Sequence, residues 1–182
     1  MEYQMTGWFH KCRHSSKRTP DIDWHDYFMA IAFLSAKRSK NPTVQVGACI
    51  VNNDNRIVGI GYNGMPNGCK DSQFPWNDLP RTDINSKYLY VCHAEMNAVM
   101  NKYSSDIKGC TIYASLFPCN ECAKIIIQSG IKNVIYVYDK YPEKVEMIAA
   151  KRMFDAAGVI YRQYIPKNKK IEINFIETNW TN

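Results

Sequence analysis

Cys92-His93-Ala94-Glu95 is answered downstream by Pro118-Cys119-Asn120-Glu121-Cys122, so the chain carries H-x-E followed by P-C-x-x-C. One imidazole and two thiolates make three zinc ligands, where a structural zinc site uses four. Three protein ligands leave a position for water, whose pKa the metal draws down toward about 7. Glu95, beside His93, is a carboxylate placed to carry protons during attack by that water. A C-x-x-C redox pair would need neither His93 nor Glu95, and no second C-x-x-C completes a zinc knuckle. Cys92 is adjacent to His93 and points elsewhere on either a helix or a strand. The residues read as a catalytic zinc hydrolase, with His93, Cys119 and Cys122 as ligands and Glu95 as the proton carrier.

The flanking sequence predicts how these residues are delivered. A helix runs from His93 through Met96, Val99 and Met100, and Pro118-Cys119 opens another, with Ile125 and Ile126 inward and Gly130 as its stop. His93 and Cys119 thus stand where loops enter helix N-termini, with Cys122 one turn further in. Positive helix ends favour thiolates and charge developing on an attacked ring. Between them, Thr111 to Leu116 reads as a strand.

Working outward, Asp21-Ile22-Asp23 offers a helix start with acids on the favourable end of its dipole. Trp24, Tyr27, Phe28, Ile31 and Leu34 follow at helical spacing and predict one buried face. That helix should end near Ser39, because Pro42 discourages helix at Asn41. Val46 to Val51 and Ile57 to Ile60, joined by Asn52-Asn53-Asp54-Asn55, predict a hairpin. A long irregular loop opens at Gly61 and runs to Tyr90; Phe74, Trp76, Tyr88 and Tyr90 argue that it is ordered. Asn133 to Tyr138 is a strand, Val145 to Ala157 an amphipathic helix stopped by Gly158, and Val159-Ile160-Tyr161 a further strand. The order is α-β-β-α-β-α-β-α-β, a three-layer α/β/α fold with a mixed sheet of about five strands. Ile171 to Phe175 alternates as an exposed strand would, without an assigned place.

The 182 residues fit one domain, expected over 22–175, between a basic disordered tail at 1–21 and a short tail at 176–182. Hydrophobic content of 46% and charged content of 22% are ordinary for a soluble globular protein. The 7 cysteines are an odd count containing thiolate ligands, which points to a reducing compartment, cytoplasm or nucleus. No apolar run suits a membrane span and no signal-peptide core is present. Cys49 is expected in the core. Cys69, with Cys92 or a histidine, is the weaker candidate for a second metal site. The net charge of +6 gathers partly at Lys11, Arg13, Lys17 and Arg18 and at Lys167, Lys169 and Lys170. Basic tails of that kind read as solvated segments, and an anionic small substrate explains the charge as well as nucleic acid does.

With these residues laid out, the chain closely resembles the deoxycytidylate deaminases of the cytidine deaminase superfamily, from about Trp24 to Phe175. The zinc signature is shared by the whole superfamily. Gly61-Tyr62-Asn63-Gly64-Met65-Pro66-Asn67-Gly68-Cys69 is more restricted, and Gln45 to Ala48, Phe117 to Lys124 and Asp139-Lys140-Tyr141 add to it. The resemblance implies a cytidine-deaminase-like fold and hydrolysis of dCMP to dUMP and ammonia, feeding thymidylate synthesis. Metal-activated water would attack C4 while Glu95 moves protons to ring N3 and to the departing amino group. It further implies a homo-oligomer, a hexamer in many members, activated by dCTP and inhibited by dTTP, with Mg2+ accompanying the regulatory nucleotide. Neither membrane nor nucleic acid is an expected partner.

Gly61, Tyr62, Asn63 and Gly64 are associated in the family with that regulatory nucleotide. The alternative is that the glycines shape a turn and Asn63 holds the substrate sugar. For the substrate phosphate the candidates are Lys37, Arg38 and Lys40 after the first helix, and Lys140 with Tyr141 beyond the fourth strand, where such sheets bind ligands. Lys140 is preferred, with Tyr141 and Arg38 beside it. Two rivals remain: a deaminase of free cytidine or of polynucleotides, and a catalytically silent zinc module, against which Glu95 and the open coordination position argue.

Overall fold

The computed structural model describes residues 21–104 and 106–173. Of the expected tails at 1–21 and 176–182, all but Asp21 lie outside the described residues, as do Asn174 and Phe175. Ile171 to Ile173 form no strand.

Ten elements follow in order: α1 (Trp24–Ala36), β1 (Gly47–Val51), β2 (Ile57–Tyr62), the short 3-10 helix η1 (Lys87–Leu89), α2 (Ala94–Met100), β3 (Thr111–Leu116), α3 (Asn120–Gln128), β4 (Asn133–Tyr138), α4 (Val145–Ala157) and β5 (Ile160–Gln163). The sheet order is β2-β1-β3-β4-β5. β1 is antiparallel to both its neighbours, whereas β3, β4 and β5 are parallel. Parallel neighbours need a crossover, which α3 and α4 supply. The antiparallel pair β1–β2 needs only a turn, closed by Asn52, whose Oδ1 accepts from Asp54 N at 3.0 Å and Arg56 N at 2.9 Å.

The central strands are buried on both faces, and their alternating side chains build two cores. Ile50, Ile112, Val134 and Tyr136 pack under α2, α3 and α4. Cys49, Tyr113, Ile135 and Val137 pack under α1. Cys49 is a core residue, and burial pushes its thiol up to about 12.

The buried face of α1 differs from the periodic reading. Phe28, Met29, Ala32 and Ala36 are buried, while Trp24 is 56% and Leu34 53% exposed. The cause is a close backbone approach: a Cβ on Gly47 would lie 1.9 Å from Ala32 O and 2.7 Å from Ala36 N. Only small residues can face a strand that near, so at the last turns of α1 Ala32 and Ala36 turn inward and Leu34 turns out. Trp24 instead stacks on Phe28, ring centroids 5.4 Å apart. Gly47→Ala is therefore expected to lower the unfolding free energy by about 3 kcal/mol or more, because the obstacle is backbone. Denaturant titration of the zinc-loaded protein measures it, and a loss under about 1 kcal/mol would mean that α1 can lift away cheaply.

Asp26, near the start of α1, is buried and anchors the chain beyond β5. It accepts from Tyr164 OH at 2.8 Å, Lys167 N at 3.1 Å, and Asn168 N and Nδ2 at 3.2 and 2.9 Å.

Candidate active site

His93 and Cys119 are the N-cap residues of α2 and α3, both with extended backbone. Neither caps its helix with its own side chain, which leaves the imidazole and the thiol free to point at each other. His93 Nδ1 lies 3.4 Å from Cys119 Sγ and 3.3 Å from Cys122 Sγ. The three ligand atoms all fall within 4.8 Å of one another. Two sulfurs and one imidazole nitrogen at these separations match a zinc coordination shell with one open corner. Among the described residues Cys69 joins no cluster of this kind.

The protonation pattern without metal fits the same purpose. The Cys122 thiol hydrogen-bonds Cys119 and draws the latter down to about 3, while Cys122 itself is held well above its ordinary value. His93 is raised chiefly by its hydrogen bond to Cys119. A cation placed among these groups takes up thiolate charge already favoured at Cys119 and displaces the proton kept at Cys122.

Glu95 is in the first turn of α2 and only 4% exposed. Its Oε2 accepts from Cys122 Sγ at 3.4 Å. Burial raises its pKa, with the nearby imidazole of His93 pulling the other way. A carboxyl moved up toward the working pH suits proton transfer in both directions.

These groups border a cavity of about 560 Å³, which His93, Glu95 and Cys119 line. That volume suits a small-molecule ligand. Lys140 and Tyr141 line it too, at the end of β4, whereas Arg38 is exposed and not among its lining residues. Lys37 is likewise exposed, and Lys40 pairs with Asp71. The ring of Tyr141 has Lys140 Nζ 5.2 Å and Lys144 Nζ 4.2 Å from its centroid. Arg81, Lys140 and Lys144 line the cavity and enter none of the ion pairs among the described residues. They form the cationic side that an anionic substituent would meet.

Gly61 and Tyr62 end β2 rather than opening a loop. A Cβ on Gly61 would lie 2.2 Å from both Ala94 O and Ala98 N. This glycine lets α2 settle on the sheet, which sets the depth of His93 and Glu95. Asn63 lines the cavity, but its side chain is taken by backbone, accepting from Val46 N at 2.9 Å and donating to Val44 O at 3.0 Å. Gly64 pairs with Cys92 through Gly64 N to Cys92 O at 3.1 Å and Cys92 N to Gly64 O at 2.9 Å. The Gly61 to Gly64 stretch thereby braces the segment that carries the metal ligand.

Sequence reading missed the cavity's other polar wall: Asn41, Thr43, Asp78 and Lys87, with Arg81 and Lys144 at its cationic side. Lys144, four residues after Lys140, was the one legible clue. Asp139 accepts from Lys151 Nζ through Oδ2 at 2.9 Å. Its buried Oδ1 has no partner among the described residues.

A family model described as "Cytidine and deoxycytidylate deaminase zinc-binding region" matches residues 22–138. Deoxycytidylate deaminase of Homo sapiens is 59% identical over 163 residues, covering 90% of this chain and 92% of its own length. The deoxycytidylate deaminase of Pongo abelii is 60% identical over the same coverage. Among solved structures, the dCMP deaminase of cyanophage S-TIM5 in complex with dCMP and dUMP matches with a TM-score of 0.60 at 27% identity, covering 76% of this chain and 95% of that one. The metal triad, the buried glutamate beside it and these likenesses agree: the chain belongs to the zinc-dependent cytidine and deoxycytidylate deaminases and is a hydrolytic enzyme of the deoxycytidylate deaminase kind.

Proposed function

We propose that the protein hydrolyses dCMP to dUMP and ammonia, supplying dUMP for thymidylate synthesis. The observation that carries the reading is Glu95 beside the His93–Cys119–Cys122 triad, in a cavity whose other end offers unpaired cations. Zinc, when held by the triad, supplies a water made nucleophilic near neutral pH. Glu95 would pass one proton of the attacking water to ring N3 as the water oxygen bonds to C4, and then pass the proton of the new C4 hydroxyl to the amino group as the C4–N bond breaks, so that water and dCMP become dUMP and ammonia. The low exposure of Glu95 keeps bulk water from competing for these protons. Lys140, Lys144 and Arg81 receive the 5′-phosphate, with Tyr141 between the two lysines; Arg38 plays no part in this version.

Activation by dCTP with Mg2+, inhibition by dTTP and a hexameric state belong to the same proposal and rest on the resemblance of the Gly61 to Cys69 stretch. In it, Gly61 and Asn63 act on the site by setting the depth of α2 and the position of residues 44–46, and a regulatory nucleotide binds near Tyr62 and Gly64. One catalytic domain spans 22–175. The thiols of Cys49, Cys69, Cys92, Cys110, Cys119 and Cys122 are free, in keeping with a reducing compartment such as the cytoplasm. Among the described residues no helix is long and apolar enough to cross a membrane.

Ammonia release from dCMP and from deoxycytidine, with dCTP present, tests the substrate. Two charge-assisted phosphate contacts expressed in the transition state separate the two by about 10² to 10⁴-fold in kcat/KM. Equal rates would make this a nucleoside deaminase. No release from either, with zinc bound, would turn attention to cytosine within polynucleotides.

A further inference from the structure

The connection from α1 to β1 supplies one wall of the cavity, through Asn41, Thr43, Val44 and Val46. Asn63 holds this wall from the β2 side. Lys87 holds it from the other. Its side chain is almost wholly buried, at 1% residue exposure, and its Nζ donates to Asn41 Oδ1 at 3.3 Å and to Thr43 Oγ1. Asp78 Oδ2 stands 3.6 Å away. Of the three N–H donors of the ammonium, Asn41 and Thr43 take two, and the Asp78 carboxylate stands at ion-pair distance to meet the charge. Burying a lysine is costly unless its charge is met, and an apolar residue at 87 would make a simpler core.

We infer that Lys87 is a positioning residue for the deamination, its buried ammonium fixing Asn41 and Thr43 as the polar wall that receives the non-reacting part of the nucleotide. This rests on the nucleotide-deaminase reading above. Asn41 Oδ1 accepts from Thr43 N at 3.1 Å, Thr43 Oγ1 at 3.0 Å and Val44 N at 3.5 Å, as well as from Lys87. With the amide oxygen so claimed, the amide cannot turn over without setting its NH2 against an ammonium. Asn41 Nδ2 donates to no described residue and remains for a ligand. The backbone of Lys87 runs to the chemistry: its carbonyl accepts from Tyr90 N at 3.1 Å and Val91 N at 3.0 Å, just ahead of Cys92 and His93. One residue thus sets the distance between the substrate wall and the reacting centre, a separation on which rate depends steeply.

The test compares Lys87→Met, which keeps length and removes the charge, with wild type, each loaded with zinc and assayed on dCMP. KM is expected to rise about 10- to 100-fold, the size of one lost contact to a charged group, with wild-type zinc content. The double variant Lys87→Met/Asn41→Ala should lose no more than the more severe single variant, since both act through one unit. A KM within twofold of wild type, or losses that multiply, would overturn the inference. Should Lys87→Met fail to fold, Thr43→Val removes one acceptor of the ammonium together with the Thr43 hydroxyl's own bond to Asn41; a KM raised several-fold with full zinc supports the role, and an unchanged KM refutes it. If wild type turns over deoxycytidine or a cytosine polynucleotide but not dCMP, the substrate reading has failed, and the same comparison on the active substrate still decides the role of Lys87.

Discussion

Glu95→Gln is expected to cut kcat by about 10³ to 10⁴-fold, or about 4 to 5.5 kcal/mol of transition-state free energy, while zinc content and KM stay near wild type. Glutamine keeps the shape and the acceptor that faces Cys122 Sγ at 3.4 Å, but it cannot shuttle a proton. Burial already works against the charged carboxylate, so an amide there removes a cost and the melting temperature should hold or rise. Single-turnover kinetics with metal analysis checks this. A variant that retains a tenth of wild-type kcat would show that another group carries the proton, and Asp139, an acid that lines the cavity and has a buried oxygen without a partner among the described residues, would be the first to examine.

Cys122→Ala should do more, because it removes a ligand and not only a proton carrier. Cys122 sits in the first turn of α3 among core side chains, so no surface group can swing in to replace its sulfur. The expected result is a protein that loses zinc on dialysis and turns over dCMP at background. The stability lost reports the metal's share of the fold. A ligand present at 1,000 times its dissociation constant contributes about 4 kcal/mol, and structural zinc more. In a domain of this size that corresponds to a fall of roughly 8 to 16 °C in Tm, which chelation of the wild type should reproduce. Retention of stoichiometric zinc by the variant would mean that His93 and Cys119 are not completed by Cys122.

The comparison of these two variants separates the roles that the cavity combines. One leaves the metal and removes the proton path; the other leaves Glu95 and removes the metal. Both leave the cationic side, Lys140, Lys144 and Arg81, untouched, so nucleotide affinity measured on Glu95→Gln tests the proposed phosphate contacts without turnover.

Much of this was present in the order of residues. H-x-E and P-C-x-x-C are local patterns at helix starts, and a helix start fixes the direction of its first side chains whatever surrounds it. The strands and the glycine stops at Gly130 and Gly158 were legible for the same reason, since each depends on near neighbours; both glycines take positive φ, 77° and 63°. The sequence by itself therefore determined the order of α-helices and strands, and it pointed to His93, Cys119 and Cys122, which the fold gathers, and to Glu95 beside them. It did not determine which face α1 buries, because that depends on how near Gly47 brings β1 to Ala32 and Ala36. Nor did it reveal Lys87, which reads as an ordinary surface lysine until the long loop lays it against Asn41 and Thr43. Lys140 is the preferred phosphate candidate from its place beyond the fourth strand, with Arg38 kept beside it, and only the path of the backbone puts Lys140 on the cavity and leaves Arg38 in solvent. Periodicity and ligand spacing are properties of a few consecutive residues. Contact between residues far apart in the chain is decided by packing, and the tertiary structure alone contains it.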